Sequence, residues 1–108
     1  MSSPLALHEV ICQTVLRWEG VTSRPHRFGG IEFRSGRKEF GHLHGDVLLD
    51  IPFPRDVRDE LIAAGRVEPH HVLPQSGWVS FVLKGPEDIQ EAILLLRRSY
   101  ELSSQIKR

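Results

Sequence analysis

Residues 31–51, Ile31-Glu32-Phe33-Arg34-Ser35-Gly36-Arg37-Lys38-Glu39-Phe40-Gly41-His42-Leu43-His44-Gly45-Asp46-Val47-Leu48-Leu49-Asp50-Ile51, decide what kind of fold this chain adopts. Ile31 to Arg34 alternates apolar with charged side chains, Ser35-Gly36-Arg37-Lys38 offers a turn, and Glu39 to His44 resumes an extended pattern. Extended runs on either side of a glycine turn predict an antiparallel hairpin. Gly45-Asp46 then turns the chain into a third strand, Val47 to Ile51, which Pro52 and Pro54 bring to an end.

Working outward, helical spacing appears at both ends. Ser2-Ser3-Pro4 supplies capping residues and a first-turn proline, and Leu7, Ile11, Val15 and Trp18 form a stripe that predicts a helix from about Pro4 to Glu19, with Gly20 as its C-cap. Cys12 beside that stripe reads as a small core residue. Val21 to Gly30 has no clear period and is expected to be a loop with at most a short strand. Asp56 opens a short helix with Val57, Leu61 and Ile62 inward, and Val67 to Gly77 is a loop rich in proline and histidine. Trp78 to Leu83 is dense in aromatic and aliphatic residues and is expected to be a central strand. After Gly85-Pro86-Glu87-Asp88, the series Ile89, Ala92, Ile93, Leu96, Tyr100 predicts a long amphipathic helix, with fraying expected from Ser103 to Arg108.

The order α-β-β-β-α-β-α predicts an α+β fold, an antiparallel sheet of about four to five strands covered by the N- and C-terminal helices. At 108 residues and 40% hydrophobic, the chain is expected to form one domain over residues 1–108, burying about two-thirds of its unfolded surface. Lys plus Arg and Asp plus Glu each total 14, so net charge gives no reason to expect a nucleic-acid or anionic-membrane partner. A single cysteine excludes an internal disulfide, no secretory leader pattern is apparent, and no apolar run nears the ~20 residues that cross a bilayer. The expected setting is the cytoplasm, without membrane association.

Chemistry concentrates between His42 and Trp78, where four of the six histidines lie. His42 and His44, two apart on a predicted strand, project from one face about 7 Å apart at the backbone, a spacing able to chelate a transition metal. Asp46, His70 or His71 could add a third ligand. A structural alternative has His42 or His44 bridging strands, Asp46 bonding to the turn backbone and His70 capping the segment after it. A third alternative is a pocket for a small polar or anionic ligand, with His44, His70, His71 and Arg55 as donors. A histidine paired with Asp46 or Asp50 could act as general base, although Ser76 and Ser80 lie in no nucleophile motif. Trp78 and Phe81 alternate faces, so one of them could wall a pocket or a dimer patch.

Gly41-His42-Leu43-His44-Gly45-Asp46, Pro52-Phe53-Pro54, Glu68-Pro69-His70-His71-Val72-Leu73-Pro74, Ser76-Gly77-Trp78-Val79-Ser80-Phe81 and Ser99-Tyr100-Glu101 together resemble the short bacterial and fungal proteins of the luciferase-domain family, over about 80 residues. The resemblance implies no particular activity. The label does not imply light emission either: a domain of ~100 residues lacks the barrel of flavin luciferases, and no phosphate-binding glycine motif is present. More distantly, a strand opening with Trp78 and a helix carrying Ser99-Tyr100 is similar in architecture to the YjbR-like, double-wing domains.

The leading expectation is a small binding or interaction module, with homo-oligomers open, whose site is built from His42, His44, Asp46, His70, His71 and Trp78. The alternatives are a metal- or histidine-dependent enzyme, with His42 and His44 as metal ligands, and a weak nucleic-acid binder using Arg24, Arg27, Arg34, Arg37 and Lys38.

Overall fold

The computed structural model describes residues 6–26, 29–45 and 47–106. The described residues run α1 (Leu7–Val15), β1 (Val21–His26), β2 (Gly30–Ser35), β3 (Lys38–His44), β4 (Leu48–Pro52), α2 (Arg55–Ala63), β5 (Glu68–Pro69), β6 (Trp78–Val82), a short 3-10 helix at Pro86–Asp88, and α3 (Ile89–Ile106). The fold is α+β, as expected. All six strands join one antiparallel sheet in the order β1-β2-β3-β4-β6-β5.

Both tight turns of the central hairpins use glycine in the left-handed region, Gly36 at φ 63° and Gly45 at φ 58°, where other residues are strained. The predicted pairing holds: Ile31 faces Leu43 across β2–β3, and Leu43 faces Leu49 across β3–β4. Phe33, Leu43, Leu49, Ile51 and Val79 are buried to 1% exposure or less and, by alternation, share one face. The face is sealed chiefly by α1, through Ile11 and Val15, and by α3, through Ala92, Leu95 and Leu96. Gly41 lets α3 come close, since a Cβ there would lie 2.5 Å from Leu96 Cδ2. Just past the middle of α3, Ser99 Oγ donates to the Pro52 carbonyl and the Tyr100 hydroxyl to the Glu19 carbonyl.

Several sequence expectations change. Val21–His26 is a full strand, paired residue for residue with β2 from Val21↔Ser35 to His26↔Gly30. As an edge strand it tolerates Pro25, and its exposed residues Thr22 to Pro25 give it no apolar alternation. The first helix ends at Val15 rather than Glu19, because i to i−3 bonds from Arg17 and Trp18 tighten the chain. Trp18 then folds over the core, its ring 6.2 Å from Phe40 and 5.3 Å from Tyr100. The expected serine cap and first-turn proline, Ser2 to Pro4, lie outside the described residues. β6 is not central but fifth of six strands, bordered by the two-residue β5 at the edge, while β3 and β4 hold the middle. Pro52, expected to end the third strand from just beyond it, is its last residue, paired opposite Trp78 in the interior of the sheet.

Candidate functional site

The sheet face away from that apolar core is polar, and strand register explains why. Glu32, His42, Asp50, Ser80 and Glu68 are successive partners across β2, β3, β4, β6 and β5, so their side chains share that face in one row. His44 lies two residues further along β3, and Trp78 two residues before Ser80 on β6. Glu39 joins them through a bulge. The β2–β3 register steps from Phe33↔Gly41 to Arg34↔Glu39, leaving Phe40 unpaired; Phe40 packs into the core against Phe33 and Tyr100, and Glu39 stays beside His42.

A loop of residues 70–77 closes one side. Arg58 on α2 donates to the Pro74 carbonyl, Ser76 Oγ donates to the Leu73 carbonyl and accepts from the Trp78 N–H, and the Phe53 N–H donates to the Gly77 carbonyl. Residue 77 must be glycine here, since a Cβ would fall 2.2 Å from the Phe53 oxygen. The result is an open cleft of about 470 Å³ lined by Glu39, His42, His44, Asp50, His70, His71, Val72, Leu73 and Trp78.

Asp50, fully buried, is its hub. Ser80 Oγ donates to Oδ1 at 2.7 Å, while Nε2 of His42, His44 and His70 approach Oδ2 at 3.1, 3.2 and 3.3 Å. His42 also turns Nδ1 to Glu39 Oε2 at 2.7 Å. Two carboxylate partners require both ring nitrogens to donate, so His42 is an imidazolium. Burial works against that charge, but hydrogen bonds to Asp50 and Glu39 and their negative charge prevail and raise its pKa to about 9. Burial would likewise raise Asp50; the bonds from His42 and Ser80 and the charges of His70 and His42 instead hold it down to about 2.

His70 is held in the opposite sense. Its Nδ1 accepts the backbone N–H groups of Val72 at 3.1 Å and Leu73 at 3.0 Å, so the ring proton must sit on Nε2, facing Asp50. Burial pushes its pKa down, which matches a neutral ring. Trp78 leans over both histidines, its ring centroid 5.1 Å from His42 and 6.2 Å from His70, and His71 stacks on His70 at 4.4 Å.

Of the residues singled out in the sequence, the structure brings together His42, His44, His70, His71 and Trp78. Asp46 and Arg27 lie outside the described residues. Arg55 does not line the cleft, and Arg34 bonds to Glu32 and the Arg37 carbonyl. Sequence reasoning missed Glu39, set Ser80 aside as lying in no nucleophile motif, and weighed Asp50 only as one of two partners for a base. Ser80 carried a signal, the two-residue spacing from Trp78. The place of Glu39 depends on the bulge, which leaves no mark in the residues themselves.

The fold and cleft define a class: a two-layer α+β domain with a histidine-ringed carboxylate on the open face of its sheet. Within that class the chain belongs to the luciferase-domain family, whose family model matches residues 37–99. That span contains every cleft residue from Glu39 to Trp78. No match was found among curated proteins or among solved structures. Among the described residues no helix is long and apolar enough to cross a membrane.

Proposed function

We propose that this domain is a binding module whose cleft receives a small polar ligand bearing positive charge. The observation that carries this reading is the lining itself: two carboxylates, Asp50 and Glu39, and no lysine or arginine. Of the polar ligands considered from the sequence, such a floor favours a cation over an anion, because two carboxylates against the single imidazolium of His42 leave the lining net negative. The volume suits a small molecule. Trp78 offers a ring face to a cation, and exposed Val72 and Leu73 form an apolar rim. A lone cysteine and the lack of a spanning helix among the described residues are compatible with the cytoplasmic setting, which stays part of this proposal.

The test is a nuclear magnetic resonance titration of the whole chain with matched small compounds, alkylammonium and guanidinium salts against acetate and phosphate. The cations are expected to shift the Trp78 side-chain N–H and the amides of Val72 and Leu73, and the anions to leave them in place. The reverse order would overturn the reading. The His44–Asp50 pair supports a second reading, since a carboxylate-held imidazole at the cleft could accept a proton from a bound substrate.

A further inference from the structure

The crowding at Asp50 Oδ2 exceeds what hydrogen bonding alone calls for. A carboxylate oxygen offers about two lone-pair directions, yet three ring nitrogens converge on Oδ2 while Oδ1 takes the Ser80 hydroxyl. The three nitrogens are not equivalent. His70 must keep its Nε2 proton, because two backbone N–H groups occupy Nδ1. On His42 it is Nδ1 that meets a second carboxylate, and Glu39 there fixes the ring with Nε2 toward Asp50. A carboxylate on the far nitrogen is the arrangement that orients metal-bound histidines and strengthens them as donors.

Separation agrees with this chemistry. Ligands held at ~2.0–2.2 Å from one ion at angles between square and tetrahedral stand roughly 3.0–3.5 Å apart. His42 Nε2 and His44 Nε2 stand 3.1 and 3.2 Å from Asp50 Oδ2, and the ligand atoms of the three residues all lie within 4.8 Å of one another. The two rings meet nearly edge to face, at 85°, so their lone pairs approach from different directions.

We propose that His42 Nε2, His44 Nε2 and Asp50 Oδ2 bind one divalent transition metal ion, with His70 excluded from the ligand set and the ion's open positions facing the cleft. The site rests on the reading of the cleft as a cation receptor and deepens it by naming the cation. Two imidazoles and a carboxylate suit zinc, ferrous iron, nickel or copper and leave positions for a further ligand. Bound there, the ion would replace the His42 and His44 protons at Oδ2, and the His70 N–H would serve as a hydrogen-bond donor beside it.

The experiment uses the whole chain, stripped of metal by a chelator that is then removed, and cobalt(II) alone as the probe. Visible absorption of the ion reports binding, with quenching of tryptophan emission, to which Trp78 at the cleft and Trp18 in the core both contribute, as a second readout and zinc as competitor. One equivalent of cobalt, displaced by zinc, is expected. His44→Ala, at a side chain 30% exposed, should weaken binding by more than the roughly 100-fold that loss of an outer partner can cost, and Glu39→Gln by about 10-fold. His70→Gln, which preserves an N–H donor, should keep one equivalent and cost less than His44→Ala.

No binding of either ion by folded protein would overturn the site, as would a His70→Gln variant that abolishes binding while His44→Ala retains it. Should the metals fail and alkylammonium ions still shift the cleft amides, the metal site falls alone. Should the metals bind as stated and no organic cation reach the cleft, the reading of an organic-ligand module falls alone.

Discussion

Leu49 and Asp50 are neighbours on β4, both fully buried, and they point to opposite faces of the same sheet. Leu49 belongs to a cluster in which many side chains share the packing, whereas Asp50 gathers four polar partners on two oxygen atoms. Stabilisation is spread out on the helix face and concentrated on the cleft face. Damage should therefore differ in character as well as in size.

The largest effect is expected from Asp50→Ala, about 3–5 kcal/mol, because buried donors lose their acceptor and His42 its counter-charge. A double-mutant cycle with His42→Ala, followed by urea denaturation, should show coupling above about 1 kcal/mol; strict additivity would break the picture of a single hub. Leu49→Ala should cost about 2–5 kcal/mol through its cavity, toward the lower end if the surrounding side chains can settle into the space. Its cycle with Asp50→Ala measures whether the two faces share energy across one strand, and near-additive values are expected. Gly41→Ala should follow at about 1–3 kcal/mol, since Leu96 can yield only by shifting α3.

The smallest effect is a dependence on pH, measured with chelator present. A group whose pKa is raised on folding contributes below its unfolded value and loses that contribution as pH rises through the folded value. His42, raised from 6.5 to about 9, therefore contributes fully below about 6.5 and fades through about 9. Asp50, lowered from 3.8 to about 2, contributes fully above about 4 and fades as pH falls through about 2. His70, shifted downward, favours the fold above 6.5 and opposes His42 between acid and neutral pH. Urea midpoints at pH 5.5 and 9.5 should fall at the higher value, and His42→Gln should shrink the fall. An unchanged fall would place its origin outside the cleft.

The two faces were unequally legible in the sequence. Apolar alternation in Ile31–Arg34 and helical spacing from Ile89 to Tyr100 record burial, so the hairpins and α3 could be read directly. β1 could not, because an edge strand exposed along Thr22 to Pro25 has no alternation to show, and the two-residue β5 is too short to have a period. The cleft is a matter of register. Alternation tells which residues share a face along one strand, but not that His42 meets Asp50 or that Asp50 meets Ser80 on the next. That row is set by turn geometry and by packing across the whole sheet.

The bulge at Phe40 makes the core and the cleft separable parts. Removing that one residue would remove the bulge with it and leave Glu39 and His42 at the usual two-residue spacing, on the face they already share. What the extra residue adds is an aromatic ring on the other side, among Trp18, Phe33 and Tyr100, in a stretch where Gly41 has no side chain to compete for room. A chain built this way can gain or lose adhesion between its layers by a single insertion or deletion and leave its chemistry in place.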